Sequence, residues 1–446
     1  MSTSAGNVGS LFFPMSAKLG LRVEATVSPL VERKLVLAGT LVESFPQAEK
    51  HLSQLVGLDI SAARIRRATR RVGCERLKLR QQLQEYFDSL MLPRQQFGVP
   101  DGVKAPDIAA IMLDGGRLQI LDRQQPKETS QRKGEHWRES RVGLLMNMTG
   151  KSYDHDPCPD LPDFLAGGAD LEKKLGEISK LIKQTEEPTS ANEKRPKNEH
   201  TVTKPRRSRD AILPRDFVRP LPGPEIVNRD CIASRDTWEQ FGRLMAAEAW
   251  IRGFAGSSRK VCVTDGSDAI RRVIEKHFAH YTAILDLMHA LGYAMNAARA
   301  VGGSLSEIRN RYRDWAEKIW QGRVADVITE MDQHQRTLGQ PSHGASAEDP
   351  REALRKSRVY YRNQQFRMNY PEYRKLGYPL TSSLMESAVK QVNRRVKGSE
   401  KFWSELGGAE LLALRADAIS DGDQLTRLLS ELAQPNDGFR QYNHAA

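Results

Sequence analysis

The sequence has only four cysteines, Cys74, Cys158, Cys231 and Cys262, among its 446 residues, and none stands in a CxxC pair. That scarcity excludes a disulfide framework and a zinc ribbon and predicts buried, reduced thiols. No stretch reaches the roughly 18 to 20 unbroken apolar residues that a membrane-spanning helix needs. The N-terminal MSTSAGNVGSLFFPM also lacks a basic n-region followed by a long apolar run. The expectation is a cytoplasmic protein without membrane contact. A GxxxxGKS/T phosphate loop, an HExxH helix and a GxSxG nucleophile turn are all missing, which argues against nucleotide hydrolysis and zinc proteolysis.

What the chain does have is positive charge. Lys plus Arg total 68 against 56 Asp plus Glu, a formal net charge of +12. Such an excess suits a phosphate-rich partner, though charge alone does not choose among DNA, RNA and an anionic membrane. At 446 residues the chain exceeds one ordinary core of roughly 100 to 200 residues, so two or three packed units are expected.

Apolar residues recur at helical spacing over residues 31–83, with breaks at Ser44-Phe45-Pro46 and Gly57-Leu58-Asp59. Three consecutive helices follow, with Ser44 capping the second, Gly57 ending it and Ser61 capping the third, a helix-turn-helix pattern. The third carries Arg64, Arg66, Arg67, Arg70 and Arg71. Those side chains either meet DNA phosphates and base edges or form the solvated face of a helical bundle.

Beyond Pro106, the run Ile108-Ala-Ala-Ile-Met-Leu113 ends in Asp114-Gly115-Gly116 and is followed by Arg117-Leu-Gln-Ile-Leu121. This predicts a strand, a glycine turn and a second strand, and WRESRVGLLMNM from Trp137 predicts a third. An acid at the end of the first strand is a common place for a metal ligand, though an isolated Asp-Gly is more often only a turn. Residues 153–215 are rich in Pro, Asp, Glu and Lys, with one helical stripe of Leu171, Leu175, Ile178 and Ile182. Residues 186–210, including KPRRSR, are too polar to bury and read as a mobile basic linker. Asp236 with Glu239 makes a capping-box pattern ahead of a helix through Trp238, Phe241, Met245 and Ala249. A buried strand, Lys260-Val-Cys-Val-Thr264, again ends on an acid, Asp265. Residues 270–373 are mainly helical, with Trp315 and Trp320 in the core, and a final helix pair covers 383–419.

Two buried strands thus each deliver an Asp at the C-terminal end, and a later helix, SLMESAVKQVNRRVKG from Ser383, carries Glu386. On that helix Met385, Val389, Val392 and Val396 form one stripe for the core, and Glu386, Lys390, Asn393 and Lys397 form the neighbouring one. Three carboxylates converging on one sheet edge suit hard divalent ions, since Mg2+ takes one or two carboxylates plus phosphate and water. A two-ion site about 3.5 to 4 Å across serves phosphodiester chemistry. The competing reading is an ordinary amphipathic helix in which Glu386 and Lys390 form an i,i+4 pair.

The stretch GYPLTSSLMESAVKQVNRRVKGSEKFW, with GAELLALRA after it, resembles the end of bacterial insertion-sequence transposases of the ISKra type, DDE enzymes related to the Mutator-like transposases. LDGG at Leu113, WRESRVG at Trp137, VTDGSDAI at Val263 and ILDLMHALGYA at Ile284 extend the resemblance to most of the chain apart from the polar insertion. It implies an α/β fold, a ribonuclease-H-like catalytic domain interrupted by a helical insertion, with an all-α N-terminal helix-turn-helix domain. The expected boundaries are 1–100 for the N-terminal DNA-binding region, 101–150 and 216–280 for the first two parts of the catalytic domain, and 151–215 for the polar basic insertion. The helical insertion then covers 281–378, and 379–446 carries the Glu helix.

Carried across motif by motif, the catalytic and metal-binding acids are Asp114, Asp265 and Glu386, holding two Mg2+ or Mn2+ ions. Asp286 and His289 match the family's D-x-x-H signature and lie side by side at i and i+3, as a supporting pair or a structural one. Lys390, Arg394, Arg395 and Lys397 are candidates for phosphate contact, and Trp403 for stacking on a base or for the core. The implied activity is metal-dependent cleavage at insertion-sequence ends and strand transfer into target DNA, by a nucleoid-associated homo-oligomer on double-stranded DNA. Two departures bear on it. Thr381-Ser382-Ser383 stands where relatives have Gly-Ser-Gly, and Ser267-Asp268-Ala269 replaces the usual small residue and Trp, with Asp268 an alternative ligand. A catalytically inactive, transposase-derived DNA-binding protein is accordingly the competing function.

Overall fold

A computed structural model describes residues 27–121, 136–167, 171, 175–176, 223–346, 348–398 and 400–433. Within them, helices α1 (Pro29–Leu41), α2 (Phe45–Val56), α3 (Ala62–Ser89) and α4 (Leu92–Phe97) precede strands β1 (Ile108–Ile120) and β2 (Trp137–Thr149) and the short α5 (Asp163–Ala166). Then come β3 (Glu225–Ser234), α6 (Trp238–Ile251), β4 (Arg259–Thr264), α7 (Asp268–His277) and β5 (Thr282–Leu285). Helices α8 (Leu287–Val301), α9 (Leu305–Trp320), α10 (Val324–Leu338), α11 (Pro350–Gln364) and α12 (Tyr370–Lys375) follow. The last described elements are α13 (Ser383–Val396), β6 (Phe402–Trp403), α14 (Glu405–Ile419) and α15 (Gln424–Ala433).

The result is a mostly helical α/β arrangement around one mixed sheet, ordered β3-β2-β1-β4-β5, with β6 added to the far end of β1. β2 pairs antiparallel with both β1 and β3, whereas β4 is parallel to both β1 and β5 and β6 is parallel to β1. Both sheet faces are covered, which is why β1 begins with an unbroken apolar run rather than an alternating one. Ala109, Ile111 and Leu113 pack with Phe241, Met245 and Ile274 of α6 and α7, whereas Ile108, Ala110 and Met112 share a cluster with Ala290, Met385 and Val392. Trp315 and Trp320 are buried in that second cluster, as are Leu171 and Leu175. Ile178, Ile182 and residues 186–210 lie outside the described residues.

Three local expectations are corrected. Asp114-Gly115-Gly116 is not a turn: β1 runs straight through it, paired in register with β2 from Ile108↔Met148 to Gln119↔Trp137. Gly116 instead permits close packing, since a Cβ there would lie 2.8 Å from the Ser140 hydroxyl and 3.5 Å from Asn393 of α13. The capping box of α6 belongs to Thr237 and Gln240 rather than Asp236 and Glu239; Asp236 accepts from the Ser234 hydroxyl at 2.5 Å. Finally, β5 interrupts a stretch expected to be helical, and β3 precedes the point where order was expected to return. A four-residue strand flanked by helices leaves too short a period-2 pattern to read.

At the N-terminal end, Ser44 accepts from the Gln47 N–H at 3.2 Å and Gly57 closes α2 in the left-handed conformation, while Ser61 makes no side-chain cap. The core of α1–α3 is shared with the far end of the chain, because Leu35, Val36, Leu52, Ile65 and Val72 cluster with Leu414 of α14 and Leu425 and Leu428 of α15. α3 crosses α14 so tightly at Gly73 that a Cβ there would lie 2.7 Å from the Glu410 Cβ. All four cysteines are free, Cys231 and Cys262 being buried and the other two partly so. No helix among the described residues is long and apolar enough to cross a membrane.

Candidate active site

Strand register brings the acids together. The β1–β4 ladder runs from Ile108↔Arg259 to Met112↔Val263, so continuing it two residues sets Asp114 beside Asp265. The β4–β5 ladder ends at Thr264↔Leu285, and the next pair is Asp265 and Asp286. The Asp286 N–H donates to the Thr264 carbonyl at 2.9 Å, which holds this third acid at the same edge.

Each acid is held by different means. Asp114 Oδ1 accepts from the Gly115 N–H at 2.6 Å, and Asp265 Oδ1 accepts from the Ser267 N–H at 2.9 Å. The turn behind Asp265 needs glycine, because Gly266 has φ +91° and a Cβ there would meet the Tyr360 ring at 3.1 Å. Tyr360, stacked on Tyr293 with ring centroids 3.7 Å apart, donates its hydroxyl to the Asp265 carbonyl at 2.7 Å. Gln364 donates to the Gly266 carbonyl at 3.1 Å, and the buried Arg367 donates to the Thr264 hydroxyl and to the Ile284 carbonyl. α11 and the turn that follows it therefore buttress the Asp265 turn, a role that no sequence motif marked for Tyr360, Gln364 or Arg367.

The electrostatics follow from like charges in a confined edge. Burial, and then the negative charge of Asp265, push the Asp114 carboxyl up to about 7, with Glu386 adding to the effect and His289 opposing it. His289 Nδ1 lies 3.5 Å from Asp286 Oδ2. Burial works against its charged form, but Asp286, Asp265 and Asp114 outweigh it and raise His289 to about 9. Burial likewise disfavours the Asp286 carboxylate, yet His289 and hydrogen bonds from Ser382 hold it below the usual range.

Glu386 stands in the first turn of α13 with its side chain 41% exposed and Lys390 Nζ at 3.2 Å. As the side chains stand, no three of His, Cys, Asp and Glu among the described residues converge closely enough to hold an ion. The donor chemistry nonetheless fits a hard divalent cation: two carboxylates abreast, a third within electrostatic reach, and a raised carboxyl that a cation would relieve. Asp268 is 80% exposed on its side chain and paired with Arg271 at 3.4 Å.

The proposed DNA contacts separate into two groups. Arg66, Arg67, Lys390, Arg394 and Lys397 are exposed, and Arg64 is half-buried. Arg70 pairs with Glu410 of α14 at 2.8 Å, and Arg71 pairs with Glu32 of α1. Arg395 is buried at 2% exposure, donating from Nε to the Gly39 carbonyl at 2.9 Å and lying over the Phe45 ring, 4.6 Å from its centroid. Burial, then Arg415, push it down to about 10. In this arrangement Arg395 ties α13 to the end of α1 and, through Nη1 donating to the Glu43 carbonyl at 3.3 Å, to the loop before α2, and it is too buried to meet a phosphate. Trp403 donates its indole N–H to the Val396 carbonyl at 2.8 Å and packs edge-on against Phe45, so its ring belongs to the same joint. Against known proteins, no family model matches this chain and no curated protein is significantly similar to it.

Proposed function

We propose that this protein is a DDE-type transposase of a bacterial insertion sequence, with a ribonuclease-H-like catalytic domain, an N-terminal helix-turn-helix region that reads DNA, and Asp114, Asp265 and Glu386 as its catalytic acids. The pair Asp114 and Asp265 carries the proposal. Two carboxylates abreast on β1 and β4, one pushed up to about 7 by burial and by the other's charge, are a costly arrangement unless a cation joins them. The order β3-β2-β1-β4-β5, antiparallel on one side of β1 and parallel on the other, supports the ribonuclease-H-like assignment.

Asp114, Asp265 and Glu386 would hold two Mg2+ or Mn2+ ions, which when bound stabilise charge on the attacking and leaving oxygens of a phosphodiester. In the first reaction a water oxygen bonds to phosphorus at the element's end as the P–O3′ bond breaks, freeing a 3′-hydroxyl. In the second that hydroxyl bonds to a phosphorus of target DNA as its P–O3′ bond breaks. Exposed Arg66, Arg67, Arg394 and Lys397 hold backbone phosphates. Two ends must be held at once, which calls for a homo-oligomer on DNA at the nucleoid.

The test is a Mg2+- or Mn2+-dependent nicking and strand-transfer assay on the DNA flanking the gene, run beside Glu386→Gln. Metal-dependent product that disappears in the variant supports the proposal. End binding without product favours the DNA-binding derivative, which the pairing of Glu386 with Lys390 at 3.2 Å also favours.

A further inference from the structure

Ser382 occupies the N-cap position of α13, yet its hydroxyl caps nothing in its own helix. An N-cap serine ordinarily accepts from an N–H in the first turn. Here both its hydroxyl and its backbone N–H, the latter at 2.8 Å, donate to a single oxygen, Oδ2 of Asp286. The other oxygen of that carboxylate, Oδ1, accepts from the Met288 N–H at 2.6 Å and the His289 N–H at 3.3 Å at the start of α8. One carboxylate, 2% exposed, thus joins the N-termini of two helices.

The joint is anchored in the sheet. The Asp286 N–H is bound to the carbonyl of Thr264, the residue before Asp265, and the Leu287 N–H donates to the Leu380 carbonyl at 3.0 Å. Glu386 lies one helical turn beyond Ser382, and its own N–H reaches the Ser382 carbonyl only at 3.4 Å. The first turn of α13 therefore takes its position from Asp286 rather than from a cap of its own.

We infer that Asp286 and Ser382 are positioning residues: a buried carboxylate–serine latch sets where Glu386 stands relative to Asp265. This rests on Glu386 being the third metal-binding acid. Charge-assisted hydrogen bonds between buried partners are short and directional, which suits such a latch. It also accounts for serine at the middle of Thr381-Ser382-Ser383. A merely structural latch would affect stability alone, whereas a positioning latch must also affect ion binding.

The experiment is a Mn2+ titration of the full-length chain without DNA, followed by electron paramagnetic resonance, with thermal unfolding measured in parallel. Ser382→Ala is expected to weaken Mn2+ binding about tenfold or more, as loss of a partner to a metal ligand commonly does, and Ser382→Thr to restore it. Asp286→Asn provides a second variant should Ser382→Ala fail to fold, because its amide can still accept from Met288 while presenting a donor where Ser382 needs an acceptor. Wild-type Mn2+ affinity in the latch variants, with weaker binding in Glu386→Gln, would overturn the latch and leave the site standing. Undiminished binding in Glu386→Gln itself would overturn the site and the latch with it.

Discussion

Two clusters of buried charge among the described residues differ in how that charge is balanced. On the second half of α3, Arg76 binds Asp417 of α14 at 2.7 Å and Glu248 of α6 at 3.4 Å. Arg80 lies 3.5 Å from Asp417 and donates to the Ala233 carbonyl, while Arg252 reaches Glu248 at 2.6 Å and also pairs with Asp230. Burial disfavours the Glu248 carboxylate, but Arg252, Arg76 and Arg80 hold it down at about 2. At the sheet edge, by contrast, Asp114 and Asp265 face each other with His289 as their nearby cation, and Asp114 is pushed up rather than down. Burial of charge alone therefore does not mark a functional site. Opposite charges in matched numbers hold helices together, whereas like charges drawn together by strand register make one carboxyl hold its proton more tightly.

The sharpest way to break the comparison is to unbalance the matched cluster. Arg76→Leu leaves Asp417 and Glu248 short of a partner and should cost about 3 to 5 kcal/mol, the usual result of removing one member of a buried ion network. Chemical denaturation measures it, and wild-type stability would mean that the network is not what joins α3 to α6 and α14.

Asp114→Asn should act in the opposite direction. The Asp114 carboxyl rises from its ordinary 3.8 to about 7, so the folded state holds its proton more tightly than the unfolded state. Its contribution to stability is fully present below pH 3.8 and is lost as pH rises through about 7. Calorimetry in EDTA should find the variant more stable than wild type at pH 8, with the advantage shrinking steadily as pH falls from about 7 towards 3.8, while the proposed DNA cutting is abolished. An advantage independent of pH would separate Asp114 from the charge at the site.

A smaller effect is expected at His289. Its value rises from 6.5 to about 9, so its stabilisation is fully present below pH 6.5 and is lost as pH rises through about 9. The stability difference between wild type and His289→Gln should accordingly shrink across that window. A constant difference would assign His289 to packing.

The smallest effect on stability is expected where α3 leaves the cluster. Arg66→Ala with Arg67→Ala should change stability by no more than about 0.5 kcal/mol, because both side chains are exposed. DNA affinity should fall, with a salt dependence shallower by about one unit per lost phosphate contact. Unchanged affinity would remove these arginines from the proposed DNA-binding surface.

Much of the local structure was legible in the sequence for reasons of periodicity and capping. Ser44 and Gly57 bound α2, and Met385, Val392 and Val396 bury the face of α13 that their spacing predicted. Where two explanations share one sequence signal, the reading went astray. Asp-Gly-Gly reads as a turn because glycine permits one, but a helix packed against Gly116 needs the same residue. An arginine near the end of an amphipathic helix reads as a phosphate contact, yet Arg395 is enclosed by Phe45 and Trp403.

By itself, then, the sequence determined the apolar strands, the helix faces and the acids that follow them, because these depend on neighbours within a few residues. Only the tertiary structure decided which charges are matched and which are not. Register set Asp114 beside Asp265, α11 closed over the Asp265 turn, and Asp286 took hold of Ser382 across 96 positions of sequence. The physical reason is that an electrostatic environment is a sum over neighbours in space, and those neighbours come from strands and helices far apart along the chain.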